Sequence, residues 1–175
     1  MVQLDDEFMQ NVLDTEVWKT LSAKAIWTET LLEKCQEQVD WDKLSENSEI
    51  LWTIPMLQQF QNFLDWDTLS EHINKDSLTL ELIEAFEDRW NWYNLSNNYD
   101  FILTDEILKK YANHLNWERI INRSTYIGVA PFDDNAIDFY NKYKEFIPLS
   151  KLQDSQLWDC LLEERKLELW RNILS

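Results

Sequence analysis

The sequence predicts an all-α fold of tandem helical hairpins stacked as a short α-solenoid, and three observations predict it. Glycine occurs once and proline three times in 175 residues, so the tight turns and bulges that antiparallel sheets depend on are almost unavailable. A Trp-x-x-Leu-Ser unit appears at Trp18, Trp41, Trp66 and Trp92 and fades at Trp117-Glu118-Arg119-Ile120, in steps of 23, 25, 26 and 25 residues. A threonine-led apolar pattern recurs between those tryptophans. A period of this length marks a repeat architecture, whose members bury their faces only against one another.

Each repeat opens on a short helix. The residue before tryptophan is Asp40, Asp65, Asn91 and Asn116, all types that accept hydrogen bonds from the free N–H groups of a helix start. Tryptophan then takes the first helical position, with leucine three residues on along the same face. Asn47, Asn74 and Asn98 stand where such a helix of about two turns has to end, and asparagine tolerates the left-handed backbone better than most residues. The repeated indole fills the space between neighbouring hairpins, each burying on the order of 150–250 Å².

The second helix of each repeat begins at a threonine. Thr28 precedes Leu31 and Leu32; Thr53 precedes Met56, Leu57 and Phe60; Thr79 precedes Leu82, Ile83 and Phe86; Thr104 precedes Ile107, Leu108 and Tyr111. That spacing is an amphipathic helix of about three turns. Acids follow the threonine cap at Glu29, Glu81, Asp105 and Glu106, where the helix dipole favours them.

After Trp117 the pattern slips. Residues 122 to 132 hold the only glycine, a proline and no acid, and read as an inserted connection. Asp133, Asp134 and Asn135 open a further helix through Ile137, Phe139, Tyr140 and Tyr143. Phe146-Ile147-Pro148-Leu149-Ser150 stands in for Trp-x-x-Leu-Ser, Leu157, Trp158, Leu161 and Leu162 form another apolar stripe, and Trp170-Arg171-Asn172-Ile173 closes the series. The expected organisation is one domain over 1–175, with repeats near 17–39, 40–64, 65–90, 91–115, 116–145 and 146–175 and atypical first and last members as caps.

The pattern Asp/Asn-Trp-x-x-Leu-Ser, with asparagine a few residues on and then a threonine-led helix, resembles the short tryptophan-bearing helical repeats of giant DNA virus proteins and some bacterial proteins. The resemblance covers residues 17 to 121 well and the remainder poorly. It implies a helical repeat scaffold with an interaction role, and it offers no shared catalytic residues to carry over.

Charge narrows the partner. The formal net charge is −17, which repels nucleic-acid phosphates and anionic membrane surfaces alike. Residues 1 to 88 carry 20 acids against 5 bases, and residues 89 to 175 carry 13 against 11. The acidic field therefore belongs to the first half. There Glu29, Glu33 and Glu37 fall at i, i+4, i+8 and predict one helical stripe. Glu81, Glu84, Glu87 and Asp88 form a second acidic set, and Asp42, Glu46, Asp67 and Glu71 add to it from the short helices. Two readings stay open: a solvated face that keeps the protein soluble, and a docking surface for a basic protein, steered by charge. In the acid-free insert, Tyr126, Ile127, Val129 and Phe132 either pack under the next hairpin or, if exposed, act as interface anchors.

Catalytic chemistry finds little support. His72 and His114 sit in different repeats with no H-x-x-x-H spacing or cysteine cluster, so no metal is expected. A single glycine leaves no room for a standard phosphate-binding loop. The carboxylates come in many pairs, and nothing sets one pair apart in environment as acid/base catalysis requires. Cys35 and Cys160 are far apart and suggest two buried thiols in a reducing cytosol. No basic, then apolar, leader precedes Asp5, Asp6 and Glu7, and no run approaches the ~20 apolar residues of a membrane span. The sequence thus points to a cytoplasmic protein-binding repeat protein, not an enzyme, with no cofactor, no direct nucleic-acid or membrane binding, and an inhibitor or immunity-type role against a basic partner. The alternative is a generic scaffold whose acidity serves solubility.

Overall fold

A computed structural model describes residues 7–123, 130–132 and 135–174. Among the described residues the chain forms twelve α-helices and no strand, so the fold is all-α. The chain groups into two compact units, Met1–Asn91 and Trp92–Ser175, and the boundary falls at the fourth tryptophan repeat.

In the first unit α1 (Glu7–Lys24) is followed by α2 (Glu29–Cys35), α3 (Trp41–Ser45), α4 (Ile54–Phe60), α5 (Trp66–His72) and α6 (Leu80–Ala85). The capping predicted from sequence is in place. Asp40 accepts from the Lys43 N–H at 3.0 Å and Asp65 from the Asp67 N–H at 3.0 Å. Thr28, Thr53 and Thr79 sit in extended backbone, and each accepts from the N–H three residues on. The second helices are six or seven residues long, about two turns where the sequence predicts three. The first helices form a row, with α3 packed between α1 and α5. Leu32, Leu44, Ile50, Leu57, Leu69 and Ile83 are fully buried beneath them, each contributing roughly 1.5–3 kcal/mol of apolar burial.

The tryptophans and serines explain why the repeat has the residues it has. Trp41 packs on Phe60 and Phe63, with ring centroids 5.3 and 5.0 Å away, and Trp66 packs on Phe86 and Trp90 at 5.3 and 5.1 Å. Each thus packs within its own hairpin, against the end of the second helix and the turn beyond it, and not between neighbouring hairpins as the sequence predicts. Their indole N–H groups donate to the carbonyls of Gln36 and Gln61 at 3.1 and 2.9 Å, five residues back in both cases. The serine closing each motif is fully buried and bonded at both ends. Its hydroxyl donates to the tryptophan carbonyl four residues back, at 2.7 Å for Ser22, 2.8 Å for Ser45 and 2.6 Å for Ser70. The same oxygen accepts from the N–H of the residue that precedes the next repeat's tryptophan, namely Asp40, Asp65 and Asn91, at 3.0 Å each time. Serine is small enough for the close approach and leaves neither buried group unpaired.

The asparagines carry more than a turn. Asn47 Nδ2 donates to the Ser22 and Ala25 carbonyls of the preceding hairpin at 2.8 and 2.9 Å while its Oδ1 accepts from the Glu49 N–H at 2.9 Å. Asn74 does the same for Ser48 and Ile50 at 2.6 and 3.1 Å. These bonds cross from one repeat to the one before it.

The second unit comprises α7 (Trp92–Asn97), α8 (Asp105–Lys110), α9 (Trp117–Ile120), α10 (Ala136–Tyr143), α11 (Leu149–Leu152) and α12 (Gln156–Leu174). α7 packs on α9, and α10 on α12. Trp92 stacks on Tyr111 and His114 at 4.8 and 5.1 Å, and the Ser96 hydroxyl accepts from the Asn116 N–H at 2.9 Å. Two register expectations are corrected here. Phe146 lies 5.5 Å from Trp117, the place that His114 takes against Trp92, so it closes a second helix and does not open a first one. The short helix starts three residues later, at Leu149 after Pro148. Trp170, expected to close the series, is 62% exposed near the end of the unbroken 19-residue α12.

Candidate protein-docking surface

The eleven acidic candidates all lie in the first unit, and the structure distributes them over several elements. Glu29 and Glu33 stand on α2, Asp42 on α3, Asp67 and Glu71 on α5, and Glu81 and Glu84 on α6. Glu46 is the capping residue at the end of α3. Glu29 and Glu87 are half-buried; the other nine are exposed.

The predicted stripe of Glu29, Glu33 and Glu37 is corrected. α2 ends at Cys35, because the chain must turn back to reach the Asp40 cap, and Glu37 therefore falls in the turn beyond the helix. Glu87 and Asp88 follow α6 in the same way. Nor is the acidic row continuous along the second helices, since α4 carries Gln58 and Gln59 and no acid. Gln59 Nε2 donates to Glu33 at 3.2 Å, tying α2 to α4.

Two carboxylates on the first-helix side are already engaged. Lys43 Nζ donates to Glu46 at 2.7 Å, and this bond raises the lysine pKa. Asn91 Nδ2 donates to Asp67 at 2.8 Å. Beside α6 the carboxylates of Glu84, Glu87 and Asp88 line an open groove of about 570 Å³ together with the amides of Gln58 and Gln61. Arg89 enters its edge and donates to Gln61 Oε1 at 3.3 Å. The groove's chemistry suits a cationic side chain with hydrogen-bond donors.

Phe132, a candidate anchor from the insert, is corrected. It is fully buried, with its ring 5.5 Å from Phe139 of α10. Tyr126, Ile127 and Val129 lie outside the described residues. The thiols also depart from expectation: Cys35 and Cys160 are only partly buried.

No known protein family, curated protein or solved structure matches the chain. The functional reading therefore rests on its own residues. Among those described, no group of three or more His, Cys, Asp or Glu is placed to hold a metal ion, and no helix is long and apolar enough to cross a membrane.

Three features escaped the sequence reading. Asp105 on α8 gathers Lys109 at 2.6 Å, Lys142 and the Tyr143 hydroxyl at 2.8 Å, a hub whose two lysines hold its carboxyl well below the usual range. Glu164 of α12 accepts from the Ile137 N–H at 3.0 Å and from the Ala136 N–H, capping α10 from outside its own helix. Arg123, 2% exposed, donates to the carbonyls of Phe101, Ser96 and Asn98 at 2.7, 3.1 and 2.8 Å. Positions 123, 143 and 164 lie in the irregular part of the sequence, where the repeat offers no template.

Proposed function

We propose that the chain is a non-catalytic, cytoplasmic repeat protein, its hairpins stacked as a short α-solenoid, that binds a basic protein through the acidic surface of its first unit. In its concrete form it is an inhibitor or immunity-type protein that occludes the basic substrate site of a nucleic-acid-acting partner. The observation that carries this reading is the segregation of charge by unit: Met1–Asn91 holds 20 acids against 6 bases, Trp92–Ser175 holds 13 against 10. Nine of the eleven candidate carboxylates are exposed, which puts them within reach of a partner's surface. A one-signed surface of this kind accelerates encounter with an opposite charge and is sensitive to salt.

The test is capture from a lysate of the source cells on the immobilised intact chain and on the triple variant Glu33→Lys, Glu84→Lys, Asp88→Lys, at about 50 and about 500 mM salt, across which the Debye length falls severalfold. Basic nucleic-acid enzymes retained by the intact chain at low salt and lost by the variant are the expected outcome. Equal retention by both forms, indifferent to salt, overturns the reading in favour of a scaffold whose acidity serves solubility.

A further inference from the structure

The second half of α12 carries a row of apolar side chains that stand exposed. From Leu162 to Leu174 no residue is buried, and Leu162, Leu169, Trp170 and Ile173 are 42, 47, 62 and 74% exposed. The first half of the same helix borders an open apolar groove of about 400 Å³, formed by Trp158, Leu161 and Leu162 with Ile137 and Tyr140 of α10. One helix thus presents both a groove and the side chains to fill one.

We propose that this face is a homodimer interface in which α12 pairs antiparallel with α12 of a second copy. Two properties of the helix select that occupant. The apolar positions Trp158, Leu162, Leu169 and Ile173 are spaced four, seven and four residues apart, the same read from either end. A two-fold axis crossing between Arg165 and Lys166 therefore sets Trp158 against the partner subunit's Ile173, Leu161 against the partner subunit's Trp170, and Leu162 against the partner subunit's Leu169. An isologous contact requires this self-complementarity.

Charge agrees with the direction. Residues 156 to 164 carry three acids and no base, and residues 165 to 174 carry three bases and one acid, so only an antiparallel pair lays the acidic half along the basic half. Glu163 then comes within reach of the partner subunit's Lys166, and Arg165 within reach of the partner subunit's Glu168. Within one copy Lys166 pairs with Glu163 at 2.5 Å and Arg165 with Glu168 at 2.7 Å. These exposed i, i+3 pairs lie at the axis and can exchange partners across it at small cost. A membrane surface, the other usual occupant of such a face, is disfavoured by the chain's net charge of −17.

Light scattering on the eluting full-length chain tests the proposal directly. The expected mass at tens of micromolar protein is twice the 21.2 kDa of one chain. The double variant Trp170→Glu, Ile173→Glu changes only exposed positions and should elute as a monomer. Lys166→Glu should raise the dissociation constant about tenfold, equivalent to about 1.4 kcal/mol, and Glu163→Lys in the same chain should restore it. A monomer at the highest soluble concentration overturns the proposal, as does a dimer that survives the double variant, or a Lys166→Glu defect that Glu163→Lys leaves unrepaired. Sedimentation of a monomeric chain with anionic vesicles would assign the face to lipid and overturn it equally.

Discussion

The units Met1–Asn91 and Trp92–Ser175 both join consecutive hairpins through a buried serine, yet they differ where the motif loses it: Asn47 stands two residues beyond Ser45, and Arg123 two residues beyond Ile121, which replaces the serine. In the first unit Asn47 spans the joint with two N–H bonds to the preceding hairpin's carbonyls. In the second Arg123 takes that place and reaches three. The asparagine is neutral and short, whereas the arginine brings a cation into the interior, where burial pushes its pKa down to about 10. Three carbonyl dipoles replace the water it loses. The longer reach matters because the regular hairpin ends here: residues 122 to 132 depart from the pattern before α10 resumes it. A repeat can therefore drop its standard residue where a larger one pins an irregular connection.

The difference between regular and irregular parts is largest for the tryptophans. Trp66 is 9% exposed, stacked on two rings and bonded to the Gln61 carbonyl. Its replacement by alanine should cost about 3–5 kcal/mol. Trp170→Ala, at a position 62% exposed, should stay within about 0.5 kcal/mol when measured at protein concentrations too low for pairing through α12. Urea denaturation of both variants decides it. Similar midpoints would mean that Trp170 is as much part of the core as Trp66.

Why one tryptophan was correctly placed by the sequence and the other was not comes down to the residue before it. Asp40, Asp65 and Asn116 stop one helix and start another, since their side chains accept the first free N–H groups. Val17 precedes Trp18 and Leu169 precedes Trp170, and neither can cap. Both tryptophans consequently sit inside long continuous helices, α1 and α12. Phe146 follows Glu145 and fails in the same way, the helix waiting for Pro148. Helix existence, the threonine caps and the aromatic register were thus written in local residue types. Helix length was not, which is why Glu37, Glu87 and Asp88 left their expected helices. Bonds between residues 20 to 27 apart, as made by Ser45, Asn47 and Arg123, were not legible either, because periodicity shows which positions matter and not which groups they face.

The comparison between Asn47 and Arg123 can be broken by exchange. Arg123→Ala leaves the carbonyls of Ser96, Asn98 and Phe101 buried without this donor, and should cost about 3 kcal/mol or somewhat more. Asn47→Ala should cost about 2 kcal/mol on the same grounds. Arg123→Asn should fall between them, since the shorter side chain can serve Ser96 or Asn98 but not also Phe101. The chemical-denaturation midpoints of the three variants test this order. An Arg123→Ala variant no worse than Asn47→Ala would show that the third carbonyl bond contributes nothing.

The smallest effect is expected where the two units agree. Ser45 and Ser96 are both fully buried, and both accept from the next cap's N–H, at 3.0 Å from Asp65 and 2.9 Å from Asn116. Alanine at either position removes that acceptor from a buried N–H and should cost about 1–2 kcal/mol, the same in each unit, with the Asp65 or Asn116 amide exchanging faster with solvent. Threonine separates the two requirements on this position. Ser45→Thr keeps the hydroxyl but forces a methyl group into a site with no exposed surface, an overpacking that costs about 1–3 kcal/mol. If threonine is tolerated while alanine is not, the hydroxyl alone holds the joint. If both fail, closeness between hairpins is as necessary as the bond, and serine is the residue that satisfies both.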